Sequence, residues 1–451
     1  MNIIIMGGGK VGGILCRQLS SIENCDVTVI EKNEEVLNRL TSKFDIYGIV
    51  GSGTDVEIVK QTPIEDADIF VAVSEKDEAN LISSIIAKKL GAKYTISRVR
   101  GTEYSGNLGF LREAMGISLV INPEKEAAYS VYRMIKYPYA VSVETFVGLD
   151  VSIIGVYIDE NSIVKNTLLK DFRKRFNIII CVIQRDSEVF IPDGNSKIHE
   201  GDIVYVTGQP KDMQLFYQSV GFLNEKPLKK AMIIGGGRMN HYLLPLLKRL
   251  NMDITVVEIN RDMARDISST FEDVTVINRD GTDQDLLDEL VIESYDTFIS
   301  LTGVDEENAL ASLYAYEKGV KKIITKINRT AITRLFDKDK LKSIVNPKRI
   351  IADEIIRTVR SQMSAIDSDL LGLYTLADEQ VEAMQFQVAG NSKFLGKKLI
   401  DLQFIENTLV AYIIRDGRLF FPTGMDDIRE NDLVLIVTKN DEIIDIDDIL
   451  V

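Results

Sequence analysis

The chain has 451 residues, 45% of them hydrophobic and 27% charged, and its 53 Lys and Arg against 68 Asp and Glu leave a formal net charge of −15. That length supports two to four domains with cores of their own, and the acidic balance argues against wholesale binding to nucleic acid, which needs a positive footprint. Cys16, Cys25 and Cys181 lack metal-like spacing, no basic n-region opens the chain, and no apolar stretch reaches the roughly 18–20 residues that span a bilayer, so a cytoplasmic location is expected.

The first apolar run, Ile3-Ile4-Ile5-Met6, reads as a buried strand leading into Gly7-Gly8-Gly9-Lys10-Val11-Gly12 and a helix from Val11 to Leu19. Asp26 to Glu31 is the second strand, Glu34 to Leu40 a helix, and Tyr47–Val50, Asp68–Val73 and Tyr94–Arg98 three more strands. Helical patterns at Val56–Gln61 and Ala79–Leu90 separate them, and Gly91 is a good helix stop. Strands alternating with helices of this length mean βαβ units around a parallel sheet. Glu124 to Tyr137 is a further helix ended by Pro138, after which short strands (Val151–Ile158, Ile178–Gln184, Val189–Ile191, Ile203–Thr207) and a small helix near Leu168–Phe172 form a different kind of lobe.

The order then repeats. Gly7 recurs as Gly235, an offset of 228 (235 − 7), Gly53-Thr54-Asp55 recurs as Gly281-Thr282-Asp283, and Asp77-Glu78-Ala79-Asn80 as Asp305-Glu306-Glu307-Asn308. Arg185-Asp186 returns as Arg415-Asp416. The expected architecture is α/β, with two tandem copies of a Rossmann-like N-lobe on a doubly wound parallel sheet, each followed by a small α+β C-lobe. The expected boundaries are 1–122, 140–223, 229–348 and 367–451, with a join near Asn224–Lys229.

Gly7, Gly9 and Gly12 satisfy G-x-G-x-x-G after a strand and at the start of a helix, the context that lifts this motif above chance. Gly7 serves the tight turn, Gly9 lets a pyrophosphate approach the backbone, and Gly12 permits close helix–strand packing, with the phosphates on free N–H groups at the helix N-terminus. Glu31 ends the second strand, where a carboxylate binds ribose hydroxyls and repels a 2′-phosphate, so NADP is disfavoured. Lys10 sits within the turn, and Arg98 at the end of the fifth strand is placed either to reach a terminal phosphate or to pair with Asp77 or Glu75. Ser74, Asp77 and Asn80 lie at the end of the fourth strand and the next helix start, with Asn80 either a ligand contact or a capping or loop-bracing residue. In the second copy Gly235 and Gly237 hold the turn, Glu258 keeps the ribose carboxylate, Arg238 replaces Lys10 and Lys326 replaces Arg98. Asn240 stands for the third glycine and Pro245 falls inside the helix, so a weakened, specialised or empty second pocket is expected.

On these motifs, together with Gly53-Thr54-Asp55, Asp68 to Ser74, Ile96 to Arg100 and the duplicated small lobes, the whole chain resembles the TrkA type of Trk-system potassium-uptake regulators, which carry two tandem RCK/KTN domains. The resemblance implies a cytosolic regulatory subunit that gates a membrane potassium transporter subunit of Trk type. It further implies a homo-oligomeric, tetrameric gating ring peripheral to the inner face of the membrane, and N-lobes that bind NAD(H), with ATP or ADP an option at one or both. It places Lys10 and Arg98 on phosphates and Glu31 on ribose, and Gly8, Val11, Thr54, Asp55 and Ser74 complete the expected first site. No catalytic residue and no metal ligand is expected. An NAD-dependent oxidoreductase is the competing class, but His199 and His241 read as solvated surface groups without an obvious partner. A redox-sensing scaffold would need reactive thiols, whereas Cys16 reads as a core residue and Cys25 as a loop thiol. Tyr129, Tyr132, Met134 and Tyr137 are the expected contacts between neighbouring subunits.

Overall fold

The computed structural model describes residues 1–22, 25–101, 104, 108–138, 140–146, 152–186, 188–217, 219–220, 228–329, 343–364, 370–377, 380–440, 443 and 445–451. The expected join at Asn224–Lys229 lies outside the described residues up to position 227. Two compact units emerge, and neither is continuous in sequence: one is Met1–Lys136 with Pro227–Ile356, the other Tyr137–Lys226 with Arg357–Val451.

In the first unit, the leading lobe runs β1 (Asn2–Met6), α1 (Lys10–Leu19), β2 (Asp26–Glu31), α2 (Glu34–Thr41), β3 (Tyr47–Val50), α3 (Val56–Val59), β4 (Ile69–Ala72), α4 (Asp77–Leu90), β5 (Tyr94–Arg98), α5 (Leu108–Met115), β6 (Leu119–Ile121) and α6 (Pro123–Lys136). All its pairings are parallel, in the order β3-β2-β1-β4-β5-β6. The order reverses beside β1, which opens a crevice at the carboxyl ends of β1 and β4 where such sheets bind ligands. Ile3, Ile4 and Ile5 are buried because strands covered by helices on both faces have no solvent side. Two helices of this lobe differ from expectation by two residues at one end, α1 and α2 by a single residue at one end, and α6 by a single residue at each end. The third stops at Val59, and α4 begins two residues early, at Asp77.

The C-lobe elements of the second unit are β7 (Ala140–Thr145), β8 (Ser152–Tyr157), α7 (Leu169–Arg175), β9 (Ile178–Arg185), β10 (Glu188–Phe190), β11 (Ile203–Gly208) and α8 (Pro210–Tyr217). The second N-lobe repeats the first with β12 (Lys230–Ile234), α9 (Asn240–Lys248), β13 (Asp253–Val257), α10 (Arg261–Thr270), β14 (Thr275–Ile277), α11 (Gln284–Glu289), β15 (Thr297–Ser300), α12 (Asp305–Glu317), β16 (Lys322–Lys326), β17 (Ser343–Val345) and α13 (Pro347–Ser364). Its strand order, β14-β13-β12-β15-β16-β17, is the same. The last lobe holds β18 (Leu370–Leu376), β19 (Val381–Gln387), β20 (Thr408–Arg415), β21 (Arg418–Phe420) and β22 (Leu433–Thr438).

Each kind of lobe shares a core with its own repeat. In the first unit, Ala127, Ala128, Val131 and Ile135 of α6 are buried in one cluster with Met239 and with Leu243, Leu244 and Leu247 of α9. Alanines at the crossing let the two helices approach closely. In the second unit the antiparallel sheets β7-β8-β11-β9-β10 and β18-β19-β22-β20-β21 join through Phe146, Cys181 and Tyr205 with Tyr374 and Tyr412, and Phe146 meets Tyr374 edge-on at 4.6 Å. A repeated ion pair braces these sheets: Arg185 grips the buried Asp202 at 2.8 and 2.9 Å, and Arg415 grips the buried Asp432 at 2.9 and 2.7 Å. Among the described residues no helix is long and apolar enough to cross a membrane.

Candidate functional site

The two glycine turns are alike in shape and differ in chemistry. Gly7 (φ +107°) and Gly235 (φ +98°) occupy backbone conformations that favour glycine, each against the strand end opposite. A Cβ on Gly12 would overlap the Gly7 carbonyl oxygen, whereas one on Gly9 would meet nothing within 4 Å. Gly12 is therefore a packing glycine, and the space over Gly9 is open to a ligand. At the position of Gly12 the second copy carries Asn240, fully buried, whose Nδ2 donates to the Gly235 carbonyl at 2.7 Å. The helix retreats to make room: α9 starts at Asn240, where α1 starts at Lys10. Its first turn is wound tightly, with Asn240 N–H donating to Gly237 O and Tyr242 N–H to Met239 O, in place of the Gly13-to-Gly9 bond of the first copy. Asn240 thus replaces close backbone packing with a side-chain bond and does not loosen the turn. Its Oδ1 is buried with no partner among the described residues.

Glu31 and Glu258 sit at the ends of β2 and β13, facing these turns. Glu31 accepts from the Gly8 N–H at 2.6 Å and from the Asn33 N–H at 2.8 Å. Glu258, buried, accepts from Gly236 and Asn260 N–H in the same way. Each carboxylate holds its glycine loop, and Glu258 also lines the cavity at the second turn.

Asp77 and Asn80, and their repeats, prove to be braces. Asn80 accepts from the Ser74 N–H and hydroxyl (2.8 and 2.7 Å) and donates to the carbonyls of Ser74 and Arg98, stapling β4 to β5. Asn308 repeats this between Thr302 and Lys326. Asp77 accepts from the Arg100 and Gly101 N–H groups, and Asp305 from those of Asn328 and Arg329. The Ser74 hydroxyl is committed to this staple. Asp55 caps α3 through the Glu57 N–H, and Thr54 bonds Ser52.

The basic residues converge on the seam between the two N-lobes. A cavity of about 610 Å³ opens at the carboxyl ends of β12, β13, β15 and β16 and is lined by Gly235, Gly237, Arg238, Glu258, Thr282 and Lys326. Its far wall belongs to the first lobe: Val11, Arg98, Arg100, Pro123 and Glu124. Arg98 forms no ion pair with Asp77 or Glu75 and lines the cavity at the second glycine turn. It donates to the Ser74 carbonyl at 2.7 Å, its Nε is buried without a partner among the described residues, and burial lowers its pKa, reinforced by Arg100. Burial likewise lowers the pKa of Lys326, which donates to the carbonyls of Leu301 and Thr302. The second pocket, expected to be weakened, specialised or empty, is the roomier of the two. The first lobe shows a smaller hollow of about 400 Å³ between α1 and α2, lined by Gly9, Lys10, Gly13, Arg17 and Arg39. Open space over the glycine turn, a carboxylate at the ribose position and converging cations with unspent donors fit a nucleotide.

Other expectations need revision. His241 has a partner: its Nε2 lies 3.2 Å from the Asp266 carboxylate, while His199 is exposed. Burial pushes the Cys16 thiol up to about 12 and the Cys181 thiol higher still, so neither is poised to react. Of the expected subunit contacts, Met134 packs on the α6–α9 core and Tyr137 stacks on Tyr217, so both serve packing inside the chain. Among the described residues no group of three or more His, Cys, Asp or Glu is placed to hold a metal ion.

Comparison with known proteins gives a consistent picture. The TrkA-N domain family matches residues 3–123 and 231–347, and the TrkA-C domain family matches 153–221 and 383–451. The Trk system potassium uptake protein TrkA homolog of Archaeoglobus fulgidus is 28% identical over 449 residues, 100% of both chains. The corresponding TrkA of Halomonas elongata is 29% identical over 92% of this chain and 91% of its own. Among solved structures, the GsuK channel bound to NAD superposes with a TM-score of 0.64 at 15% identity, over 97% of this chain and 76% of that one. The GsuK RCK domain gives 0.62 at 15% identity, over 97% and 92%. With the fold, the duplicated turns and these matches in agreement, the chain belongs to the TrkA family, whose members join TrkA-N and TrkA-C domains.

Proposed function

We propose that this chain is the nucleotide-sensing regulatory subunit of a membrane potassium-uptake transporter, held at the inner face of the membrane by that partner. The observation that carries the sensing mechanism is the shared cavity, where a nucleotide seated on the second glycine turn meets Arg98 and Arg100 of the first lobe. Such a ligand ties one N-lobe to the other, and it shifts the equilibrium between two lobe arrangements only by its differential affinity for them. A coupling of about 1–3 kcal/mol is the usual size of such an effect. Four chains assembled as a ring would sum these shifts on the transporter. Adenine nucleotides are the ligands, with NAD(H), ATP and ADP the candidates. Glu31 and Glu258 take ribose hydroxyls, Gly9 and Gly237 leave room for phosphates, and Lys10, Arg98, Arg238 and Lys326 neutralise them.

Calorimetric titration with NADH, NAD, ATP and ADP tests this on wild type, Glu31→Ala and Glu258→Ala. Saturable binding is expected, weakened about tenfold or more in Glu258→Ala, the loss of roughly one hydrogen bond to a charged group. Absence of binding by every adenine nucleotide would sink the proposal.

A further inference from the structure

The smaller hollow of the first lobe, about 400 Å³, is a valley between two helices on the lobe's surface. Gly13, Ile14 and Arg17 of α1 line one side, and Val36, Arg39 and Leu40 of α2 the other. Spacings of three and four residues put each set on one helix face. Glu31, Ser74 and Arg98 do not line it, so the valley lies outside the ribose and phosphate corner of the first glycine turn and meets that turn only at its upper end. A Cβ on Gly13 would touch nothing but Leu40, at 3.6 Å, so the middle of the valley is open.

In the second lobe the same valley is bridged. Counted from the glycine turns, Gly13 corresponds to His241, an offset of 228 (241 − 13). Counted from the strand-end carboxylates, Arg39 corresponds to Asp266, an offset of 227 (266 − 39), and Leu40 to Ile267. The last correspondence holds in space, since Leu40 and Ile267 each lie beside the middle glycine of their own turn. His241 Nε2 is 3.2 Å from the Asp266 carboxylate, and the His241 ring lies tilted against Phe271 with centroids 6.1 Å apart. Two exchanges therefore separate the closed valley from the open one. The side chain that fills it is missing at Gly13, and the carboxylate that holds that side chain is a guanidinium at Arg39. Arg17, whose counterpart is Pro245, adds a second cation. Both arginines are exposed, and neither has an ion-pair partner among the described residues.

We infer that the α1–α2 valley is the dock for an acidic amphipathic helix of the membrane subunit, and that only the first lobe of each chain carries it. The inference rests on the proposed partnership with a potassium-uptake transporter. On a chain of net charge −15, two neighbouring cations without partners are a local reversal of sign that attracts an anionic surface. The apolar floor of Ile14, Val36 and Leu40 between them calls for apolar anchors one turn apart with carboxylates on the flanks, which is recognition of a helix in a groove. With 10 residues in α1, the valley is about 15 Å long and takes about three helical turns. The missing side chain at Gly13 lets that helix come close. The occupant is another protein and not a second copy, because the valley is confined to one repeat. Exposed apolar residues kept in both copies, Ile82 of α4 and Leu310 of α12, suit contacts that recur between like lobes. A partner that meets one lobe of each chain needs its mark on that lobe alone.

Co-sedimentation of the full chain with vesicles carrying a Trk-type membrane subunit tests this, beside protein-free vesicles of phosphatidylglycerol and phosphatidylcholine. The variants are Arg39→Glu and the double variant Gly13→His, Arg39→Asp, which copies the closed valley of the second lobe. Wild type should bind the subunit vesicles saturably and the protein-free vesicles about tenfold more weakly or less. Both variants should lose about tenfold or more in affinity for the subunit. The double variant replaces a helical glycine and installs a bonded pair, so its melting temperature and its oligomeric state on gel filtration should match wild type, which keeps a folding defect from mimicking the effect. Variants that bind the subunit as wild type does would overturn the inference and leave the partnership standing. Wild type that ignores the subunit would bring down both. Equal binding to protein-free vesicles, lost in the variants, would make the valley a lipid site. Breakdown of the oligomer in the variants would make it a chain-to-chain contact, and a loss of nucleotide affinity in place of subunit affinity would make it part of the nucleotide site. Each of these three results overturns the inference.

Discussion

At the scale of single residues, the two glycines with vacant space and without it make opposite predictions. Gly12→Ala drives a methyl into the Gly7 carbonyl, and overpacking of that kind costs about 1–3 kcal/mol, so the melting temperature should fall. Gly9→Ala meets nothing in the protein and should leave stability nearly unchanged while weakening nucleotide binding at the first lobe. Equal loss of stability in the two variants, measured by thermal melting, would refute the assignment of one to packing and the other to ligand approach. The turn conformation of Gly7 and the packing role of Gly12 were legible in the sequence because the motif sits between a strand and a helix. The second tasks of Glu31 and Glu258, holding the N–H of Gly8 and Gly236, were not, since a hydrogen bond across 23 or 22 residues leaves no local pattern.

Among elements, the repeated Asp-Glu-x-Asn at the starts of α4 and α12 marks a brace that spacing alone left open. Burial would raise the pKa of Asp305, but the donors of Asn328 and Arg329 outweigh it and hold the carboxyl below the usual carboxylate range. A depressed carboxyl contributes stability above its unfolded pKa, near 4, and loses it as the pH falls through the lower folded value. Asp305→Asn should therefore be less stable than wild type by about 1–3 kcal/mol at pH 7, with the gap closing toward pH 2–3. Urea midpoints at both pH values check this, and a gap that persists in acid would contradict it. The amphipathic face of α6 could be read from Ala127, Ala128, Val131 and Ile135, but its partner could not. Periodicity gives a helix an apolar stripe without saying which surface covers it, and here the cover is α9, more than a hundred residues away. His241 was missed for the same reason: Asp266 lies on the adjoining helix, α10, and nothing in the sequence ties the two.

For the whole molecule, the repeat predicts four lobes in alternation, and folding regroups them by kind. N-lobe joins N-lobe and C-lobe joins C-lobe, so each interface is built from two related surfaces within one chain. Duplication frees those surfaces to diverge, because the two sides of a seam no longer share a sequence. The exchange of Glu124 for Lys348 and of Gly12 for Asn240 are such divergences, and both fall at the seam that holds the larger cavity. Under the proposed function, this regrouping would make nucleotide binding a report on how the two N-lobes are joined.

The most direct test of the sensing role is potassium flux through a Trk-type membrane subunit in vesicles, with this chain added and NADH or ATP titrated. Flux should change saturably with nucleotide for wild type and become insensitive to it for the Glu31→Ala, Glu258→Ala double variant. A nucleotide response of the same size in the double variant, or none in wild type despite measured binding, would contradict the account.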